Sequence, residues 1–163
     1  MFLTRRALMG GMAIILAACG NKFRTYDGPK VTQIVVLKEK RIMALLHGMK
    51  PLRRYNFELG FAPVGDKDFE GDGKTPEGRY YIDRKNPNSQ FYLSLGISYP
   101  NAADRAKARA QGKSPGGDIF IHGTPRNAQG RDDWTWGCIA VTNREMEDIY
   151  AMVDVGTPIT IYP

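Results

Sequence analysis

A thiol and an imidazole near each other can transfer acyl groups, and residues 118–143, DIFIHGTPRNAQGRDDWTWGCIAVTN, offer both. The stretch holds His122, one of two histidines, and Cys138, one of two cysteines. A cysteine with an ordinary pKa of about 8.5 is only a few per cent thiolate near neutrality, so a base must take its proton before it attacks a carbonyl. An imidazole does this well when a hydrogen bond to its other nitrogen fixes its orientation. Gly137 lets the backbone bend sharply before Cys138. The amides of Gly137 and Cys138 are then placed to hold a developing oxyanion, each such donor being worth about 3–4 kcal/mol in the transition state.

Such a pair must be held by regular elements, and the pattern around it supplies them. Asp118, Phe120 and His122 alternate with Ile119 and Ile121, which reads as a strand with isoleucines in the core and His122 at its end on the other face. Upstream, Val31–Leu37 and Arg41–Leu46 read as a hairpin around Lys38-Glu39-Lys40, and Arg53–Leu59 as a third strand. Gly78–Arg84 and Phe91–Tyr99 alternate as half-buried strands do, and Ile159–Tyr162 closes the chain as a last strand. Two helices are expected. One spans Asn101–Gln111 with Asn101 as N-cap, either a lid over the site or a plain connection. The other follows Ile139-Ala140-Val141, starts at the capping box Thr142-Asn143-Arg144-Glu145, and turns Met146, Ile149, Tyr150 and Val153 to the core. The fold class is mainly β, a sandwich with two short helices. His47, at the end of the second strand, reads as a strand residue and not a ligand.

The loop at 60–75 is rich in glycine and acid. Asp66, Asp68, Glu70, Gly71 and Glu77 fall at calcium-loop spacing, but their neighbours read as strands where such a loop needs helices, so no metal site is expected. A second reading fits better: GDKDFEGDGKTPEGRYYI, PGGDIFIHG and TWGCIAVTN, in that order, resemble the L,D-transpeptidase catalytic domain, the YkuD type. The resemblance runs from about Val31 to Pro163. It implies a β-rich sandwich, Cys138 as nucleophile, His122 as base oriented by the Gly123 carbonyl, and an oxyanion hole from the Gly137 and Cys138 amides. The implied substrate is a peptidoglycan tetrapeptide stem, cleaved through a thioester with loss of D-alanine, and no cofactor is implied. An amine acceptor makes a cross-link, and water makes the enzyme a carboxypeptidase or endopeptidase.

Two positions depart from the family pattern. Trp136 stands where many members have histidine, and Ala140 where many have an arginine or asparagine able to hold a substrate carboxylate. Thr124, Arg126, Arg131 and Trp136 are the candidates for contacting substrate, with Arg126 or Arg131 replacing the missing charge unless the substrate differs. A wall-binding protein that has lost catalysis is the competing reading. Redox or metal chemistry at Cys138 is a weaker one, since no C-x-x-C pair and no zinc spacing accompany it.

Residues 1–18 read as a lipoprotein signal peptide: Arg5 and Arg6, an apolar run too short for a bilayer span, then Leu16-Ala17-Ala18 before Cys19. The paired arginines also fit a twin-arginine leader. Cys19 is the expected lipidation site, 19–30 a tether, and 31–163 one catalytic domain at the periplasmic side of the cell envelope. The net charge of +6 falls to +4 without Arg5 and Arg6, suited to an anionic envelope polymer. The basic residues are scattered, so no nucleic-acid partner is expected, and a monomer is.

Overall fold

The computed structural model describes residues 21–163, so the signal-peptide and Cys19 readings lie outside the described residues. Eight strands form one continuous order, and the domain is mainly β with two helices. β1 (Gln33–Leu37), β2 (Ile42–His47) and β3 (Lys50–Asn56) make an antiparallel meander. β8 (Pro158–Tyr162) returns to lie parallel to β1 and antiparallel to β4 (Gly78–Asn86). β5 (Ser94–Ile97), β6 (Phe120–His122) and β7 (Ile139–Ala140) complete the order β3-β2-β1-β8-β4-β5-β6-β7.

Period-two alternation builds the core. Leu45, Ile34, Ile159 and Tyr80 are register partners in turn, so four buried side chains form a row straight across the strands. Each contributes on the order of 1.5–3 kcal/mol by leaving water. The register of β4 shifts between Ile82 and Arg84, so its first half pairs with β8 and its second with β5. That irregularity lets one strand serve two sheets, the corner a sandwich needs. Beyond β3 the chain meets β7: Glu58 N–H donates to Ala140 O at 2.8 Å and Ala140 N–H to Glu58 O at 2.9 Å. The two ends of the strand order are thereby joined.

Both helices start where their caps were expected. α1 (Ala102–Ala110) carries a capping box from Asn101 and Asp104, and α2 (Asn143–Met152) one from Thr142 and Glu145. Met146 and Ile149 of α2 are fully buried. α1 buttresses the 60–75 loop instead of covering the site: Lys107 Nζ reaches Asp66 at 2.8 Å and Asp68 at 2.6 Å, and Tyr80 donates to Asp104 at 3.0 Å.

Three expectations shift. The third strand begins three residues earlier than Arg53, because β3 is an edge where Pro51 leaves no interior ladder bond unmade. The strand expected over Phe91–Tyr99 contracts to Ser94–Ile97, since Tyr92 takes φ 78° and turns Phe91 out of the ladder. Residues 21–30 have no regular structure, yet they are strapped to the body. Arg24 forks onto Glu147 and Asp148 of α2, each at 2.7 Å, and Lys22 Nζ donates to Pro87 O at 2.6 Å. His47 Nδ1 lies 2.8 Å from Lys30 O, a backbone contact with this strap.

Candidate active site

His122 ends β6 with 2% of its surface exposed. Its Nδ1 lies 2.7 Å from the Gly123 carbonyl, which can only accept, so the proton sits on Nδ1 and the Nε2 lone pair is free. The ring stacks on Phe91 (centroids 4.5 Å apart, 26°) and takes Trp134 edge-on at 5.5 Å. Burial pushes its pKa down to about 4, partly countered by the Gly123 hydrogen bond. The imidazole is therefore neutral at pH 7, as a general base must be.

That depression links folding to pH. The unfolded chain takes up this proton below about 6.5, while the folded protein does not until about 4, so stability falls as pH falls between these values. The loss approaches about 3 kcal/mol. Denaturant unfolding of the wild type and His122→Gln at pH 7 and 4.5 should show a slope in this window that the variant lacks; equal slopes would exclude the effect.

Cys138 follows a turn built on Thr135. The buried Thr135 hydroxyl donates to Cys138 O at 2.8 Å and accepts from Gly137 N–H at 3.2 Å. Gly137 has φ 113°, and a Cβ there would meet Lys74 O at 2.5 Å, so only glycine fits. β6 and β7 pair in parallel, Ile121 with Ile139 and His122 with Ala140. Period-two alternation puts Cys138 on the same face as Phe120 and His122. Thiol and imidazole make no direct hydrogen bond: Sγ donates to Asp118 O at 3.5 Å. Burial pushes the thiol up to about 11, the Phe120 amide pulling it back slightly. The resting pair is thus uncharged.

Of the two expected oxyanion donors, the Gly137 N–H is engaged by Thr135, while the Cys138 N–H has no acceptor among the described residues. Thr135 was part of the sequence motif but had no role in it; its function is visible only once the turn is folded.

The 60–75 loop supports this turn backbone to backbone. A Cβ on Gly60 would lie 1.9 Å from Gly73 O and 2.7 Å from Gly137 N. Asp72 organises the loop, accepting from Lys67 Nζ (2.7 Å) and from the amides of Asp68 (2.7 Å), Lys74 (3.0 Å) and Phe69 (3.2 Å). Burial raises the Asp72 pKa, but Lys67 and these amides outweigh it and hold the carboxyl below its usual value. Lys67 and Asp72 are both nearly inaccessible, at 3% and 5% of side-chain surface. Asp72→Asn leaves a buried ammonium without its counter-charge, and we expect about 3–5 kcal/mol lost in denaturant unfolding; a loss under about 1 kcal/mol would mean water already reaches the pair. Three of the four carboxylates at calcium-loop spacing also face lysines: Asp66 meets Lys107, Asp68 meets Lys74 and Lys107, and Glu77 meets Lys38.

The remaining candidates are spread around the pair. Trp136 is 72% exposed and stands edge-on to Phe61 at 5.1 Å, an aromatic wall two residues from the thiol. Thr124 donates its hydroxyl proton to Val141 O at 2.8 Å, tying two loops together. A cleft of about 480 Å³ lies between Glu58, the 124–134 loop and the start of α2; Arg131, Thr124 and Ala140 line it, and Arg126, in a 3₁₀ turn at Arg126–Ala128, does not. Arg41 and Asp133 pin the loop that carries Trp134, with Asp133 also accepting from Leu59 N–H at 3.1 Å. Neither this pair nor Phe91 and Trp134 carried a signal in sequence, because each acts on a residue remote in the chain.

Comparison with known proteins agrees with this architecture. Residues 31–161 match the L,D-transpeptidase catalytic domain family, YkuD. The Escherichia coli (strain K12) protein named "Putative L,D-transpeptidase YafK" is 32% identical over 143 residues, which is 80% of this chain and 53% of that one. Among solved structures, the helical cell shape determining protein Pgp2 from Campylobacter jejuni superposes with a TM-score of 0.63 at 28% identity, over 82% of this chain and 51% of its own. Bd1075 of Bdellovibrio bacteriovorus shares the fold, with a TM-score of 0.59 at 24% identity over 86% of this chain and 50% of that one. The chain spans about half the length of the curated relatives it matches. No helix among the described residues is long and apolar enough to cross a membrane. With the match covering nearly all of the described domain, this chain belongs to the YkuD family of L,D-transpeptidase catalytic domains.

Proposed function

We propose that this protein is a cysteine acyltransferase acting on peptidoglycan stem peptides. One observation carries the reading: His122 is neutral, protonated on Nδ1, with a free Nε2 on the same face as Cys138. In the first half-reaction the thiol proton passes to Nε2, and Sγ bonds to the carbonyl carbon of the third stem residue. The Cys138 N–H supports the oxyanion. The C–N bond to the terminal D-alanine then breaks, and His122 returns the proton to the departing amine. In the second half an amine replaces the thiolate and the 3-3 cross-link forms. If water resolves the thioester instead, the same site is a carboxypeptidase or endopeptidase.

A role in wall shaping draws support from the name of Pgp2 as a cell shape determining protein. We place the domain at the periplasmic face of the envelope, monomeric and anchored through lipid at Cys19. The test is intact-protein mass after incubation of residues 21–163 with a tetrapeptide stem. An adduct equal to the stem less D-alanine supports the reading, and cross-linked product against free tripeptide separates transferase from hydrolase. Absence of any adduct across stem lengths would leave a wall-binding protein without catalysis.

A further inference from the structure

The strap at 21–30 reaches the base through a turn. His122 is held from two directions: the Gly123 carbonyl fixes its Nδ1–H, and the Phe91 ring lies on its face. Both holds depend on the backbone around Tyr92. Leu93 N–H donates to Phe91 O at 3.1 Å across Tyr92, which takes φ 78°. This is a three-residue γ-turn of the rare, strained kind, unfavourable for any residue with a side chain. Gly123 N–H donates to the same Phe91 oxygen at 3.1 Å. The turn therefore sets both the ring stacked on the imidazole and the peptide that orients it.

A strained turn keeps its shape only when its surroundings impose it, and here they are the strap and α2. The Tyr92 hydroxyl donates to Glu147 Oε1 at 2.6 Å, and Arg24 donates to the other oxygen, Oε2, through Nε at 2.9 Å and Nη2 at 2.7 Å. Burial raises the Glu147 pKa, but the Tyr92 and Arg24 hydrogen bonds outweigh it and hold the carboxyl below its usual value. The acceptor is thus charged, which strengthens both bonds. Arg24 Nη1 takes Asp148 at 2.7 Å, which stops the guanidinium from turning away. On the other side Lys22 Nζ donates to Pro87 O at 2.6 Å and to Tyr92 O at 3.4 Å, and lies 5.7 Å from the centre of the Tyr92 ring. One lysine thus closes the 87–92 loop at both ends.

We propose that the strap is a positioning element of the base: Lys22 and Arg24, acting with Tyr92 and Glu147, hold the turn that presses Phe91 onto His122 and fixes the Gly123 peptide. The effect on turnover rests on the acyl-transfer reading; the effect on the His122 ring does not. In that reading His122 gains a proton and gives it up again in each half-reaction, so its ring must keep one orientation in both charge states. A misplacement of about 1 Å costs on the order of 100-fold in rate, and partial release of the turn should cost about tenfold in kcat. KM should stay unchanged, because the strap holds the base and not the peptide.

The test uses the full chain in detergent, with the His122 ring signals identified in the proton NMR spectrum as those that survive in His47→Gln. Stacking on Phe91 places them upfield in the wild type. Arg24→Ala and Tyr92→Phe should each move them back toward free-imidazole positions and speed exchange of the Nδ1 proton, with kcat for D-alanine release down about tenfold. Arg24→Lys keeps the charge beside Glu147 and should recover most of both effects. Signals that stay in place, or that move while kcat does not, overturn the proposal. So does a loss of kcat that Arg24→Lys fails to recover and that follows the denaturant midpoint, since stability alone would then explain it. If the ring signals respond as expected but the wild type turns over no stem, the positioning of His122 stands and the acyltransferase reading falls.

Discussion

Cys138→Ala is expected to reduce stem-peptide turnover by on the order of 10⁴–10⁶, the range seen when a covalent nucleophile is removed from an acyl-transfer enzyme. The fold should survive. The thiol is half-buried and its one hydrogen bond, to Asp118 O at 3.5 Å, is weak, so the stability change should stay within about 1 kcal/mol. This separation is informative because His122, Thr135 and Gly137 remain in place in the variant. Turnover within tenfold of the wild type, measured by release of D-alanine, would remove Cys138 from the mechanism.

Gly60→Ala should do nearly as much damage without touching either reacting group. The new methyl would lie 1.9 Å from Gly73 O and 2.7 Å from Gly137 N, both backbone atoms. Neither can retreat easily: Phe61 N–H donates to Thr135 O at 3.1 Å and Ala62 N–H to Gly73 O at 3.2 Å, so loop and turn are tied on both sides of the clash. We expect about 3 kcal/mol or more of lost stability, at the upper end for overpacking. A shift of about 1 Å in the nucleophile turn lowers activity by on the order of 100-fold. Gly71→Ala is the control, lying in the same loop with φ 84° and nothing near its missing Cβ. It should cost only the backbone strain of about 1 kcal/mol. Equal losses in the two variants would mean that loop flexibility, and not this close approach, sets the site.

Sequence made the fold largely legible wherever the signal was local. Ile34, Val36, Met43 and Leu45 alternate in chain order, and Asn101 and Thr142 sit directly before the helices they cap. The candidate pair His122 and Cys138 could be picked out for the same reason, lying with Gly137 in one stretch. What could not be read depends on distant partners. β7 has only two residues, too few to show a period, and it exists because Glu58 and His122 flank it. Phe91 looked like a strand residue until Tyr92 turned it onto His122. Arg41 and Asp133 were two ordinary surface charges until the fold brought them together over the 124–134 loop.

If the domain is anchored through lipid at Cys19 as proposed, the strap at 21–30 limits how far it can work from the membrane. Twelve free residues, Cys19 through Lys30, would form a leash of up to about 40 Å. With Lys22 held on Pro87 and Arg24 on α2, only three peptide links separate the proposed lipid from the docked chain, a span of about 10 Å. The catalytic domain would then ride against the bilayer with one side always turned toward it, reaching only wall strands within a single domain's height. On that anchored reading, Arg24 and Lys22 would set a working radius, and releasing them would let the same site sweep a shell several times deeper.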